Sequence, residues 1–249
     1  MKHKRLFFLV SLILFISVSV FLIYNRTYIL KINYVALGDS VAAGRNPYGV
    51  DDYGYTDYVK DYLQKNDKLN SYISYAISGY TTDDVTNDIN LNKKSIDNEI
   101  SIKRALRESN LVTISIGAND FMKGLDLTGI SNFLKDKNIA LSRVDEVIDK
   151  VDELLVLIKK YAKENIVVVG YYNPLPRLTK YKDEINEVVN YADQQYEIIC
   201  NKNNVKYIKV SNLILKNSDY LPNPLDIHPS KEGYYTISKE VINYINQLY

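Results

Sequence analysis

A doubly wound, three-layer α/β/α domain is the fold class this sequence predicts, and three observations predict it. Short apolar runs recur along the chain with helical periodicity between them, the pattern of parallel strands joined by crossover helices. One run, Ile166-Val167-Val168-Val169, is apolar at every position, as a strand covered on both faces must be. The 249 residues, 46% hydrophobic and 24% charged, suit one domain with a real core plus a short appendage, and exclude a disordered chain. The sheet is expected to hold five strands, mainly parallel, and to follow one N-terminal transmembrane helix.

That helix comes first in the chain. Leu6 to Tyr24 is apolar apart from Ser11, Ser17 and Ser19, and Lys2, Lys4 and Arg5 precede it. As a helix the run would span about 28 Å, close to the roughly 30 Å of a hydrocarbon core. Ser17 and Ser19 could mimic a cleavage site, but Phe21-Leu22-Ile23-Tyr24 continue the apolar run past them. The run therefore reads as an uncleaved anchor, with secretion after signal cleavage as the alternative. The positive charges then put the N-terminus in the cytoplasm and the rest outside. The division expected is a tail and anchor over 1–26 and an extracytoplasmic catalytic domain over 27–249.

After the anchor, Ile29 to Leu37 reads as the first strand, followed by a helix near Tyr55 to Leu63. Ser71 to Ile77 is a second strand, and Asp83 to Ile89 a short helix. A helix around Ile100 to Glu108 leads into the third strand, Leu111 to Ile116. Val144, Val147, Ile148, Val151, Leu154, Leu155, Ile158 and Tyr161 recur at three- and four-residue steps, an amphipathic helix with Ser142 as its N-cap. Ile166 to Val169 is the fourth strand. Ile185, Val188, Val189, Ala192, Tyr196 and Ile199 repeat the helical pattern before a fifth strand at Val205 to Val210. Tyr234, Ile237, Val241, Tyr244 and Ile245 close the chain as a helix entered through Pro229 and Ser230. Phe121 to Leu141 lacks a clean period and reads as an insertion over the sheet edge.

Composition narrows the chemistry. Formal charge is +1, but four basic residues lie before residue 27, leaving 27 basic against 30 acidic side chains beyond it. No basic stripe is present, so nucleic acid is not an expected partner. One cysteine, Cys200, excludes an internal disulfide and multi-cysteine zinc, and two histidines exclude most histidine metal centres. No metal is therefore expected, an all-carboxylate site being the one alternative left open, and no nucleotide cofactor is expected, since neither a dinucleotide-binding nor a P-loop spacing occurs. Cys200 reads as a small apolar packing residue.

In open α/β sheets ligands bind beyond the carboxyl ends of the strands, and the chemistry-bearing residues fall there. The first strand ends in Gly38-Asp39-Ser40-Val41-Ala42-Ala43-Gly44, the second in Ser78-Gly79, the third in Gly117-Ala118-Asn119-Asp120. Each alone is weak: Ser caps helices, and Gly and Asn form turns. The fourth block, Asp226-Ile227-His228-Pro229, precedes the last helix. A serine hydroxyl needs a base within hydrogen-bond reach to act as a nucleophile. His228 is the one imidazole beyond the N-terminal tail. The Tyr-rich segment Tyr48 to Tyr62 reads either as lining for an acyl or sugar cleft or as exposed tyrosines on a loop and helix.

Together these blocks resemble the SGNH/GDSL hydrolase superfamily of esterases, lipases and acylhydrolases. Gly38-Asp39-Ser40 is similar to its first block, Gly79 to the second, Gly117-Ala118-Asn119-Asp120 to the third and His228 to the fifth, over residues about 31 to 249. More narrowly, the chain is similar to membrane-anchored GDSL-like lipase/acylhydrolases of low-GC Gram-positive bacteria. The resemblance implies a flavodoxin-like sheet, Ser40 as nucleophile, and an oxyanion hole from the Ser40 and Gly79 backbone N–H groups and the Asn119 amide. His228 is then the base. Because the anchor holds the site near both, the expected substrate is an acyl ester of a membrane lipid or an acetyl ester of a cell-wall glycan. One position departs from the pattern. The family's acid stands three residues before the histidine, where this chain has Leu225, while Asp226 stands two before. Either the loop bends so that Asp226 still reaches the ring, or a backbone carbonyl orients it, or Asp226 caps the following helix. An acyltransferase using the same acyl-enzyme, and a catalytically silent binding module on the same scaffold, are the competing functions. The Gly-x-Ser-x-Gly elbow of α/β-hydrolases is absent around Ser40, which disfavours that fold.

Overall fold

Alternation of period two along the first strand decides which helices lie on which face. In the computed structural model, which describes residues 10–21, 31–95, 99–124, 132, 136–174, 177 and 179–249, the chain divides into Met1–Lys31 and Ile32–Tyr249. In the second unit, β1 (Ile32–Gly38) sends Ile32, Tyr34 and Ala36 to one core and Val35 and Leu37 to another. Strands β2 (Leu69–Ser74), β3 (Leu111–Ser115), β4 (Asn165–Val169) and β5 (Lys206–Ile208) complete the sheet. Its order is β2-β1-β3-β4-β5, and every pairing is parallel. The expected five-stranded three-layer fold is present. Strand order reverses between β1 and β3, which makes the gap beyond their carboxyl ends the natural ligand crevice.

On the Tyr34 face lie α1 (Ser40–Ala43), α2 (Tyr55–Lys65), a short α8 (Ser211–Ile214) and α9 (Lys231–Leu248). On the Val35 face lie α3 (Thr82–Asn90), α4 (Ile102–Glu108), a short α5 (Ala118–Met122), α6 (Lys137–Lys159) and α7 (Lys182–Lys202). Local signals start several of these helices where capping chemistry demands it. Thr81 and Asp84 form a reciprocal capping box on α3, and the Ser230 hydroxyl accepts from Gly233 N on α9.

Several boundaries differ from expectation for identifiable reasons. Helix α6 starts at Lys137, ahead of the expected cap, because Asp136 rather than Ser142 supplies the N-cap, accepting from Asn138 N at 3.0 Å. Ser142 itself lies inside the helix. The second strand ends at Ser74 rather than Ile77, yet Tyr75 N and Ile77 N still donate to Ala36 O and Gly38 O at 2.8 and 3.0 Å. The fifth strand is shorter than Val205 to Val210 because its ladder is confined to Lys206–Ile208. Of the expected insertion, Phe121 and Met122 end α5 and Lys137 opens α6, while 125–131 and 133–135 lie outside the described residues.

The first unit is described only over residues 10–21 and Lys31, and 10–21 are helical. The rest of the expected span, at 6–9 and 22–24, lies outside the described residues. Among the described residues no helix is long and apolar enough to cross a membrane. Cys200 packs as expected in the Val35-side core, and burial pushes its thiol up to about 12.

Candidate active site

The loop after β1 is shaped by a glycine and a buried carboxylate. Gly38 has φ +124°, and a Cβ there would lie 2.1 Å from Ser115 O, so only glycine lets β1 turn this close to β3. Asp39 N donates to that same carbonyl at 3.0 Å. The Asp39 carboxylate then caps α1, accepting from Val41 N at 3.0 Å and from the Ser115 hydroxyl at 3.2 Å. Tyr171, just beyond β4, donates its hydroxyl to the other carboxylate oxygen. Burial pushes the Asp39 pKa up to about 6, against the lowering effect of these donors. The adjacent residue, Ser40, is thus held at the first position of α1 by a network that reaches three strands.

His228 arrives from the far end of the chain. Its Nε2 lies 2.8 Å from Ser40 Oγ, and both residues are buried. Its Nδ1 lies 2.7 Å from Asp226 Oδ1, which also accepts from His228 N at 2.8 Å. An ionised carboxylate can only accept, so it fixes the ring proton on Nδ1 and leaves Nε2 free to accept from the Ser40 hydroxyl. Of the three readings of Asp226, the geometry selects the first: the loop bends and the carboxylate reaches the ring. Helix α9 is capped instead by Ser230, and Leu225, at the position where the family pattern has its acid, is 94% exposed.

The bend has local causes. Asn223 Oδ1 accepts from Leu225 N at 3.0 Å, and its amide donates to Pro47 O at 2.7 Å. An Asx turn therefore reverses the chain while tying it to the loop that follows Ser40. Tyr172 OH donates to Ile227 O at 3.0 Å, and Tyr234 OH to Arg45 O at 2.6 Å. The first bond ties the histidine loop to the end of β4, and the second ties the loop after Ser40 to α9.

Gly79 and Asn119 line the same cavity as Ser40 and His228. Gly79 has φ +89°, a conformation that favours glycine, although a Cβ would meet nothing within 4 Å. Backbone shape, rather than crowding, is what asks for glycine there. Asn119 Nδ2 donates to Tyr80 O at 2.8 Å, which orients the amide and leaves its second N–H for another acceptor. Asp120, next in sequence, accepts from Thr82 N and Oγ1 at 2.9 and 2.6 Å and so pins α5 to the start of α3. Among the described residues no acceptor engages the Ser40 or Gly79 backbone N–H.

All five residues singled out in the sequence thus meet at one rim. The Tyr-rich segment does not join them: Tyr48 is 79% exposed, Tyr55 is fully buried in the core, and none of its tyrosines lines the cavity. Sequence reading missed Tyr171 and Tyr172. Both follow Gly170 at the carboxyl end of β4, so the strand-end rule that found the other blocks would have found them. Among the described residues no three His, Cys, Asp or Glu side chains cluster as a metal site.

A hydroxyl, an imidazole and a carboxylate in hydrogen-bonded series, at the switch point of a β2-β1-β3-β4-β5 sheet, form the arrangement of a serine hydrolase. Residues 36–235 match the GDSL-like Lipase/Acylhydrolase family, and the chain belongs to it. Solved structures similar to it include the lipase Lip_vut3 from a goat rumen metagenome, at 19% identity over 86% of this chain and 96% of that one, TM-score 0.62. Another is the acetylxylan esterase Axe2 from Geobacillus stearothermophilus, at 18% identity over 87% and 95%, TM-score 0.59. A third is phospholipase A1 from Streptomyces albidoflavus NA297, at 18% over 85% and 98%, TM-score 0.58. At these identities the likeness is one of fold. Comparison with curated protein sequences gives no match.

Proposed function

We propose that this chain is an extracytoplasmic esterase or lipase that hydrolyses carboxylic esters through an acyl-enzyme on Ser40. The observation that carries the reading is the 2.8 Å contact between Ser40 Oγ and His228 Nε2. As Oγ bonds to the ester carbonyl carbon, its proton passes to Nε2, and Asp226 stabilises the imidazolium that forms. The carbonyl oxygen becomes an oxyanion, received by the Ser40 and Gly79 N–H groups and the second Asn119 amide proton. One such donor contributes about 3–4 kcal/mol to the transition state. Collapse breaks the bond to the alcohol, which leaves with the proton from Nε2. A water molecule then repeats the sequence at the acyl carbonyl, releasing the acid and restoring Ser40.

Membrane attachment through residues 1–26, with 27–249 outside, is part of the same proposal. It is supported by the unbroken apolar run from Leu6 and the basic residues before it. Such an anchor keeps the site near lipid and cell-envelope esters. Alkaline washing of membranes should leave the full chain bound and release a variant lacking 1–26; a full chain that washes off contradicts the anchor.

The direct test of the chemistry is a fluorophosphonate probe. Wild-type protein should be labelled and folded Ser40→Ala should not. Equal labelling of both, or of neither, would overturn Ser40 as nucleophile. Accumulation of free acid with water as acceptor, even beside excess alcohol, separates hydrolysis from acyl transfer.

A further inference from the structure

The cavity that begins at Ser40 and His228 does not stop at the catalytic rim. It encloses about 740 Å³ and continues between the N-terminal portions of α6 and α7. Val144 and Ile148 line it from α6, and Ile185, Val188, Ala192 and Tyr196 from α7. Deeper along the same helices, Val151, Leu155 and Ile158 meet Ile199 and Cys200 in a filled core. On α7 the lining residues Ile185, Val188 and Ala192 are only half-buried. A helix that is fully packed at one end therefore leaves its apolar stripe uncovered where it borders the hollow.

We propose that this hollow receives the acyl chain of the substrate, and that the enzyme selects esters of medium- to long-chain fatty acids over acetyl esters. The proposal rests on the acyl-enzyme reading above and names its substrate class. The chemistry of the wall decides the occupant. The phenol on α7, Tyr196, donates to Ile116 O at 2.6 Å, and the acid Glu184 sits exposed in the first turn of α7. Sugar hydroxyls seated between the helices would lose water without gaining partners, a cost that polar groups do not recover in apolar surroundings. An alkyl chain gains from the same burial. The lining from Ile185 to Tyr196 covers about 16 Å of helix, which suits an extended chain of roughly ten to thirteen carbons.

The test is kcat/KM for p-nitrophenyl esters from acetyl to palmitoyl, measured on the full chain. Values should rise by about fourfold per methylene over the first additions, reach at least about a hundredfold for decanoyl over acetyl, and then level off. Ala192→Phe and, separately, Val188→Phe fill the hollow from α7 and should lower the decanoyl-to-acetyl ratio by about tenfold or more. Val156→Phe changes an exposed residue on the outer part of α6 and should leave that ratio unchanged. Fluorophosphonate labelling of Ser40 is run on every variant. A flat chain-length profile in protein that still labels would overturn the acyl pocket while leaving the nucleophile intact. Absence of labelling would overturn the underlying chemistry instead. A decanoyl-to-acetyl ratio that neither filling substitution lowers would also sink the proposal.

Discussion

On one face of the sheet, α2 and α9 bring Val59, Leu63, Ile237, Val241 and Ile245 against Tyr34, and each of these side chains is fully buried. On the other, α6 and α7 pack into the core at their C-terminal ends, while their N-terminal portions border the cavity of about 740 Å³ that begins at the catalytic rim. The functions divide in the same way. Ser40 stands on α1 and His228 just before α9, both within the filled layer, whereas the lining meant for an acyl chain comes from the hollow one. Close packing holds reacting groups to tenths of an ångström. A hollow accepts a chain at little packing cost, because its walls already lack partners on one side. The molecule thus separates rigidity from capacity.

The largest expected effects lie on the filled side. Ser40→Ala should lower kcat on the order of a million-fold, and Asp226→Ala by about ten thousand-fold, with the folded state kept in both. Equal losses in purified, folded variants would contradict the ranking and, with it, the view that Asp226 only orients His228 and stabilises its charged form. Next in size, Ile237→Ala removes a fully buried side chain from α9 and should cost about 2–5 kcal/mol in urea unfolding. A loss under about 1 kcal/mol would mean that this layer is not the tightly packed one.

Asp39 gives a pH-dependent version of the same test. Its pKa, about 6 in the folded protein against 3.8 ordinarily, means that the native state holds the proton more tightly than the unfolded chain. Stability from this group is therefore present below about pH 4 and lost as pH rises through about 6, by about 3 kcal/mol. Asp39→Asn should abolish that loss, so the stability of the variant relative to wild type should increase between about pH 4 and 7. A difference that stays constant across that range would show that burial does not set this titration. The smallest effect is expected on the hollow side. Val188→Ala should change stability by less than about 1 kcal/mol, since its side chain already borders empty space; a cost matching that of Ile237→Ala would erase the contrast between the layers.

The sequence displayed the filled and hollow layers in the same way. Ile185, Val188 and Ala192, half-buried beside the hollow, keep the same helical spacing as Tyr196 and Ile199, which are buried in the core, so periodicity located α7 but not the gap beside it. Strand ends were legible because Gly38, Ser40, Gly79 and Asn119 each followed an apolar run, and parallel strands bring such ends to one edge. His228 was legible through scarcity. Asp226 was legible as a candidate beside it, but the choice among its three readings was not, because its reach depends on the Asn223 turn and on the bond to Pro47, and neither is visible as a spacing. The role of Asp39 was hidden for a similar reason: its partners Ser115 and Tyr171 lie 76 and 132 positions away. The tyrosines between Tyr48 and Tyr62 misled in the opposite direction, since abundance beside the nucleophile reflects packing on α2 and exposure on the loop.

Acid-quenched mass spectrometry during turnover of p-nitrophenyl decanoate tests the central claim most directly. A decanoyl group should appear on the peptide that contains Ser40 within the first turnover, alongside a burst of p-nitrophenol equal to the enzyme present, and disappear as decanoic acid accumulates. Sustained release of p-nitrophenol with no acyl group on Ser40, or with the group on another residue, would contradict it.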